Sequence, residues 1–238
     1  PGWKYLECRG GRALLGDIPA SISFWGHRLD LEVGEDALFA RLEGSVRRAV
    51  RKAGASGLEI EFSCDLAAMQ AFYRLLCQTR RRHGLPSQPF RFFRNIHRHV
   101  LAPRRGCVVL ARHAGVPVAG AVFFHSGKTC LYKFGASDET FQHLRANNLV
   151  MWEAIKWHAR QGFALLDFGR TSRDNEGLRR FKLGWGAREH PIEYVRYDRR
   201  AARFVTSPDG TTGWHNRLFR IMPEFLSRLI GAVLYKHV

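Results

Sequence analysis

Two short segments in the last third of the chain combine charged side chains with glycine and aromatic residues. Residues 166–170 (Leu-Asp-Phe-Gly-Arg) place Asp167 and Arg170 at the end of a hydrophobic strand, where binding and catalytic groups are often found. Residues 180–186 place Lys182 between aromatic residues in a glycine-rich turn. A cation in that position can stabilise a developing oxyanion or bind phosphate. The spacing fits a structural alternative equally well: an internal pair of Asp167 with Arg170, and a solvated Lys182.

A third candidate group stands just before a predicted helix. Arg145, Asn147 and Asn148 follow a predicted strand and precede the helix 149–160. Backbone N–H groups at a helix N-terminus bind phosphate or carboxylate, and the Arg145 guanidinium would add positive charge there. Asparagine is also a common helix N-cap. The sequence leaves both interpretations open, an anion site and an ordinary cap.

Other patterns that could mark a known chemistry do not hold. Residues 126–129 (Ser-Gly-Lys-Thr) resemble the end of a P-loop, but Val122 stands where that motif needs glycine, and the segment is predicted as a hairpin turn. His97 and His99 have no carboxylate or cysteine partner nearby in sequence, so we predict no metal site. Five cysteines with wide spacings and no C-x-x-C pair argue against a zinc or disulfide framework and favour a reducing compartment.

Hydrophobic periodicity predicts the elements that must position these residues. The segment 107–135 reads as three strands joined by two tight turns, which indicates an antiparallel meander. Residues 178–186 are predicted as a turn region. Gly162 is expected to end the predicted helix 149–160. The predicted strands are 3–6, 13–15, 22–25, 58–62, 107–112, 118–125, 129–135, 163–168 and 191–197, and the predicted helices are 35–53, 69–83, 89–100 and 149–160.

The composition is that of an ordinary globular protein with a large basic excess. The 238 residues are 45% hydrophobic and 25% charged, which excludes a disordered tail, a collagen-like repeat and a polytopic membrane protein. No window approaches the ~18 apolar residues of a membrane span. A net charge of +17 favours an anionic partner: nucleic acid, a nucleotide-linked substrate or an anionic membrane surface. An arginine-rich coding bias is the alternative. The first residue is proline, and we expect the chain to be a piece of a longer protein.

The C-terminal segment differs from the rest. Residues 199–213 read as a polar linker, and Pro223 suits the first turn of a following helix. That helix has a continuous apolar stripe flanked by basic side chains within 217–238. Such a basic amphipathic helix can lie on an anionic membrane. The alternative is that the stripe docks on the core of the domain.

An ordered set of these motifs resembles the Fem-type acyltransferases, which include FemAB-like proteins and the related BioF2-like acetyltransferase domain of the GNAT superfamily. The set spans most of the chain, and the segment 223–235 resembles the tail of FemAB-like proteins from exopolysaccharide loci. The matching segments are the basic helix 47–53, Asn147 to Trp157, Gly162-Phe163, 167–170, Phe181-Lys182 and 184–186.

The resemblance implies an α+β fold: a GNAT-like acyl-CoA N-acyltransferase domain with a mixed, mostly antiparallel sheet flanked by helices, followed by the C-terminal amphipathic helix. Residues 1–62 would be the remnant of a first GNAT-like copy with its basic linking helix. Residues 63–198 would be a complete second copy, and residues 199–238 the linker and C-terminal helix.

The resemblance also implies transfer of an acyl or aminoacyl group to an amine in peptidoglycan or exopolysaccharide metabolism. The donor would be acyl-CoA or aminoacyl-tRNA, with no metal, and the location cytoplasmic with peripheral contact to the inner membrane through 217–238. In the family pattern Lys182 is tied to the donor end and to transition-state charge, and Asp167 is a candidate base or orienting group. The implied substrate-binding residues are Arg170, Tyr132, Lys133 and Phe181, and the implied donor-phosphate residues are Arg145, Asn147 and Asn148.

Two features depart from the family. The glycine-rich pyrophosphate loop of CoA-using enzymes is absent, because residues 145–148 occupy its place, and no coiled-coil arm for tRNA is present. These departures keep the donor open. They also support a second hypothesis, a non-catalytic GNAT-like module that binds RNA, an anionic membrane or an assembly partner.

Overall fold

A computed structural model describes residues 2–10 and 15–206, and within them the chain forms one mixed sheet with helices on both faces. The strands are β1 Tyr5–Arg9, β2 Ile22–Asp30, β3 Leu58–Ser63, β4 Gly106–His113, β5 Val116–Ser126, β6 Thr129–Ser137, β7 Leu165–Ser172, β8 Arg188–Asp198 and β9 Arg203–Phe204. The α-helices are α1 Glu35–Arg41, α2 Gly44–Gly54, α3 Leu66–Arg82, α4 Phe90–Ile96, α5 Ala146–Arg160 and α6 Glu176–Leu183. A π-helical turn, His97–Leu101, extends α4, and a 3₁₀ segment, Glu139–Leu144, precedes α5.

The order of the strands across the sheet is β1-β8-β2-β7-β6-β5-β4-β3, with β9 paired to β8. Every neighbouring pair is antiparallel except β6 and β7, which are parallel. The predicted meander is confirmed as β4, β5 and β6. Residues before position 62 belong to the same sheet as those after it, because β2 lies between β7 and β8. The division into a remnant copy and a complete copy stays a prediction.

Two apolar cores cover the two faces of the sheet. One core lies between the sheet and α1, α2 and α5, and includes Leu38, Val50 and Ile155. The second lies under α3 and α4, over β4, β5 and β6. The β-branched and aromatic residues of the meander alternate between these cores, which buries both faces of its strands.

Two sequence predictions were wrong. The expected helix 35–53 is two helices, because Leu42 is extended at the C-cap of α1 and the Glu43 N–H bonds to the Gly184 carbonyl 2.9 Å away. Residues 178–183, expected as a turn region, are helical: α6 begins after Asn175, whose side chain caps the helix by accepting from the Leu178 N–H at 3.0 Å. The glycines follow α6.

The end of α5 agrees with the prediction. Gly162 has φ +80° and follows the last residues of the helix. Its N–H bonds to the Ala159 carbonyl at 3.0 Å, and the Phe163 N–H bonds to the His158 carbonyl at 3.1 Å, which is the Schellman pattern. The predicted strand 13–15 lies mainly outside the described residues, as does the amphipathic helix within 217–238. Among residues 2–10 and 15–206, no helix is long and apolar enough to span a membrane.

Candidate active site

A gap opens in the sheet between β6 and β7. Their parallel pairing covers three residue pairs and ends at Leu131 and Asp167. Beyond that point β6 continues alongside β5, and β7 continues alongside β2. Tyr132 and Phe168 are the first residues past the last pair, and their ring centroids are 6.1 Å apart. Two parallel strands that separate in this way leave backbone groups that do not pair across the gap.

A β-bulge in β7 shapes one wall of this gap. Arg28 pairs with Asp167, whereas Gly26 pairs with Arg170, so β7 carries one extra residue between these positions. Gly169 lies in the bulge with φ +69°, in the left-handed region, which residues other than glycine rarely adopt. The bulge puts Asp167 and Arg170 on the same face of the sheet, although they are three positions apart along the chain.

Asp167 anchors this bulge. Its Oδ1 accepts a hydrogen bond from the Gly169 N–H at 2.7 Å. Its Oδ2 accepts from the Arg28 Nε at 3.4 Å, and the Asp167 side chain is about one-fifth exposed. The carboxylate is therefore a fixed negative charge beside the gap, with a partner for each oxygen.

Lys182 reaches the same bulge from the opposite face of the sheet. It lies on α6, is 2% exposed, and donates hydrogen bonds from Nζ to the carbonyls of Gly169 and Arg170 at 2.9 and 3.1 Å. Burial lowers the pKa of Lys182 to about 8, while the nearby Asp167 carboxylate acts in the opposite direction. The lysine is buried rather than solvated, and it and Asp167 bind the two backbone groups of the same residue, Gly169.

A charged network that the sequence analysis missed surrounds Lys182. His27 is fully buried, and its Nε2 lies 3.2 Å from Glu189 Oε2. Arg179, one turn before Lys182 on α6, donates to both oxygens of Glu189 at 2.7 and 3.0 Å, and this lowers the pKa of that carboxyl. Burial and then the Lys182 charge lower the pKa of His27. No spacing in the sequence reveals this network, because His27 and Glu189 are paired across β2 and β8.

Arg170 and Asp167 do not form the internal pair that was the structural alternative. The Arg170 guanidinium donates to the Tyr194 hydroxyl at 2.9 Å and lies 4.5 Å from the centroid of the Phe24 ring. Arg28 is the partner of Asp167 instead. Arg170 is an exposed cation on the face that Asp167 shares, which leaves it accessible to a ligand.

The three predicted phosphate-binding residues lie together at the N-terminus of α5. Arg145 precedes the helix in the left-handed conformation, φ 57°, and the cap position has no side-chain hydrogen bond. Asn147 and Asn148 lie within the first turn, so neither is the N-cap. Arg145 and Asn148 line two cavities there, of about 470 and 170 Å³, and Asn147 lines the smaller one.

Helix α2 lies between the N-terminus of α5 and the end of α6. Arg48 and Lys52 of α2 line the larger cavity together with Arg145 and Asn148. Val46, which lines the same cavity near the start of α2, also lies against Gly184, the residue that follows α6. The basic side chains of α2 therefore face the α5 N-terminus, and the start of the same helix packs beside the helix that carries Lys182.

The remaining predicted substrate residues have different surroundings. Tyr132 is half-buried at the gap, and burial raises the pKa of its hydroxyl to about 12, which keeps it protonated. Phe181 is half-buried against Trp185, with ring centroids 6.2 Å apart. Lys133 is exposed, and its Nζ lies 5.7 Å from the centroid of the Phe134 ring.

A mixed sheet whose parallel strands β6 and β7 diverge beside the buried Lys182 fits an N-acyltransferase fold of the GNAT class. The family model described as "Acetyltransferase (GNAT) domain" matches residues 40–190. The chain belongs to this acetyltransferase family, and the predicted fold class and enzyme class are confirmed.

Individual proteins that resemble this chain include a glycyltransferase and two enzymes of known structure. A stretch of 85 residues, 33% of this chain, is 32% identical to the "Lipid II:glycine glycyltransferase" of Staphylococcus haemolyticus and covers 20% of that protein. The crystal structure of FemX superposes with a TM-score of 0.64 at 19% identity, over 71% of this chain and 61% of FemX. The "L-PGS" structure from Bacillus licheniformis superposes with a TM-score of 0.54 at 11% identity, over 96% of this chain and 68% of that structure. The chain thus spans one fifth of the curated relative and about three fifths of FemX.

Proposed function

We propose that this chain transfers an aminoacyl or acyl group to an amine of a peptidoglycan precursor. The observation that carries the proposal is the buried Lys182 ammonium, held at the point where β6 and β7 separate. The likeness to a glycyltransferase named for Lipid II supports the acceptor class. We rank an aminoacyl ester above acyl-CoA as donor, because residues 145–148 replace the glycine-rich loop of CoA-using relatives.

In this reaction the donor phosphates bind at the α5 N-terminus. Arg145 and the basic residues of α2 supply positive charge there, and the helix dipole adds to it. The reactive carbonyl of the donor then lies in the gap beside Tyr132. Binding by remote phosphates holds that carbonyl in place for attack.

The chemical step is attack by the acceptor amine on the donor carbonyl. The new N–C bond forms as the carbonyl electrons move to oxygen, which creates a tetrahedral oxyanion. Two of the three N–H groups of Lys182 Nζ donate hydrogen bonds to backbone carbonyls. The third N–H group stabilises the oxyanion. Collapse of the intermediate breaks the C–O bond of an ester, or the C–S bond of a thioester. The proton of the amine passes through solvent to the leaving group.

Asp167 acts as a positioning residue in this scheme. Each of its oxygens already accepts a hydrogen bond, one from the Gly169 N–H and one from Arg28. It holds the bulge that directs two carbonyls to Lys182. The positive charges of Arg28 and Arg170 on the same face suit the anionic groups of a precursor.

The test is single-turnover transfer from glycyl-tRNA or from acetyl-CoA to Lipid II. We expect transfer from at least one donor, and a loss of about 10²–10³-fold in Lys182→Met, the usual effect of removing one oxyanion donor. The matched control is Lys128→Met, because Lys128 is exposed in the turn between β5 and β6. Circular dichroism checks that both variants fold.

The outcomes separate the hypotheses. Transfer from glycyl-tRNA alone supports the aminoacyl donor, and transfer from acetyl-CoA alone supports the acyl-CoA alternative. A folded Lys182→Met variant with full turnover would contradict the role of the lysine. A folded wild-type chain with no transfer from either donor would favour the non-catalytic module, which binds RNA or an anionic surface without chemistry.

A further inference from the structure

A second cluster of reactive side chains lies at the opposite end of α5 from the anion site. Cys107 of β4, His125 of β5 and His158 of α5 bring one sulfur and two nitrogen ligand atoms within 4.8 Å of one another. The two Nε2 atoms are 3.0 Å apart. Cys107 pairs with Phe123 across the meander, so Cys107 and His125 point to the same face, which α5 covers. Their separations of 18 and 33 residues conceal the cluster in the sequence.

The backbone fixes the tautomer of His158. Its Nδ1 lies 2.7 Å from the Ala154 carbonyl oxygen. A carbonyl only accepts hydrogen bonds, so Nδ1 carries the proton and Nε2 presents a lone pair toward His125. Histidines that bind metals are oriented by this same kind of hydrogen bond from the other ring nitrogen.

The spacing of the ligand atoms is close to that of a tetrahedral zinc site. With Zn–N bonds of about 2.0 Å and a Zn–S bond of about 2.3 Å, tetrahedral ligand atoms lie about 3.3–3.6 Å apart. The two imidazole nitrogens already lie at 3.0 Å, and the sulfur is within 4.8 Å of both. Small side-chain rotations are enough to bring all three atoms to one ion.

The surroundings suit a partly desolvated metal. His158 is fully buried and Cys107 is 3% exposed. The rings of Trp157 and Phe163 pack against the two histidines. The ring centroids of His125 and Phe163 are 4.6 Å apart. A cavity of about 830 Å³, lined by Cys107, His125, Trp157 and Phe163, gives access to the cluster.

We propose that Cys107, His125 and His158 form a Zn²⁺ site with three protein ligands and a fourth position open to this cavity. On binding, the Cys107 S–H bond breaks, an S–Zn bond forms, and the proton leaves to solvent. Both imidazoles stay neutral and donate lone pairs from Nε2, with the His125 proton on Nδ1. The site is independent of the transfer reaction: His158 is ten residues from Asn148, about 15 Å along the helix.

Cobalt titration of the chelator-treated, reduced full chain tests the proposal. Co²⁺ in this site gives the intense visible bands of a tetrahedral ion and a thiolate-to-cobalt charge-transfer band, both saturating at one equivalent and both lost when Zn²⁺ is added. We expect Cys107→Ser to abolish the charge-transfer band, and His125→Ala to weaken Zn²⁺ binding at least tenfold. The matched control is Cys77→Ser, since Cys77 is equally buried but lies in the other core.

Several results would overturn the assignment. A wild-type chain that is folded by circular dichroism but gives only the weak bands of hydrated cobalt has no such site. A charge-transfer band that persists in Cys107→Ser but disappears in Cys64→Ser would move the thiolate ligand to Cys64, which lines the same cavity. If Cys107→Ser does not fold, His125→Ala decides, because His125 is only half-buried and unchanged zinc affinity there excludes the site.

Discussion

The two ends of α5 differ in charge, exposure and ligand chemistry. The N-terminal end is polar: Arg145 and Asn147 are exposed, and basic residues of α2 line the larger cavity there. The C-terminal end is enclosed by aromatic rings and carries His125 and His158, whose pKa values are both lowered by burial. The helix dipole favours anions at the first end and cations at the second. One helix thus separates a proposed phosphate site from a proposed metal site, and the separation can be tested by changing each end alone.

After the substitution of Lys182, the largest expected effect comes from the bulge, outside both ends of α5. Gly169→Val places a β-branched side chain at φ +69°, at a backbone strain of about 1–3 kcal/mol. We expect the bulge to rearrange and transfer to fall about 100-fold, because misplacing the reacting groups by about 1 Å has an effect of that size. Single-turnover transfer measures it, and cobalt binding should be unchanged.

The matched control for this variant is Gly177→Ala. Gly177 lies in α6 at negative φ, and an added Cβ would meet only ordinary contacts. Equal losses in both glycine variants would show that the effect is not specific to the bulge.

The lowered pKa of Lys182 predicts opposite pH trends for activity and stability. Burial lowers the pKa of Lys182 in the folded protein to about 8, from the ordinary lysine value of 10.5. The charged form is needed for oxyanion stabilisation, so transfer should fall about tenfold per pH unit above 8. The unfolded chain binds more protons than the folded chain between pH 8 and 10.5, so the free energy of unfolding should rise there, by roughly 3 kcal/mol at most.

Urea unfolding and transfer rates at pH 7–10.5 measure these two trends. In Lys182→Met, the pH dependence of the transfer rate and of the free energy of unfolding that arises from this lysine should disappear, because the titrating group is removed. A stability profile with the same slope in wild type and Lys182→Met would contradict the lowered pKa.

Reversing the charge at the polar end should weaken donor binding alone. Arg145→Glu replaces an exposed cation at the α5 N-terminus with an anion that repels phosphate. We expect the KM for the donor to rise at least tenfold with little change in kcat, and the salt dependence of binding to decrease. Titration at several salt concentrations measures both, and Arg104→Glu, an exposed charge reversal in the chain segment before β4, is the control. A fall in kcat without a change in KM would place Arg145 elsewhere in the mechanism.

The sequence predicts secondary-structure elements better than the contacts between them. Periodicity located the meander and α5, because alternation and the 3.6-residue repeat are local properties. It joined α1 and α2 because the stripe of apolar residues continues through Leu42, and the contact that ends α1 comes from Gly184, 142 residues later. The same limit applies to the sites. Lys182 and Asp167 were recognised through motifs, whereas His27 and the His125–His158 pair depend on cross-strand and helix–sheet contacts that no spacing reveals.

The smallest expected effect lies at the apolar end of α5. Gly162→Ala puts a Cβ at φ +80° in the Schellman turn, which should lower stability by about 1 kcal/mol. That turn holds Phe163 against His158, with ring centroids 5.2 Å apart. Loosening it should weaken zinc binding a few-fold and leave the KM for the donor unchanged, since the α5 N-terminus is far from the substitution. Urea unfolding and zinc titration measure the two effects. A change in donor KM as large as that of Arg145→Glu would mean that the two ends of α5 are coupled and the sites are not independent.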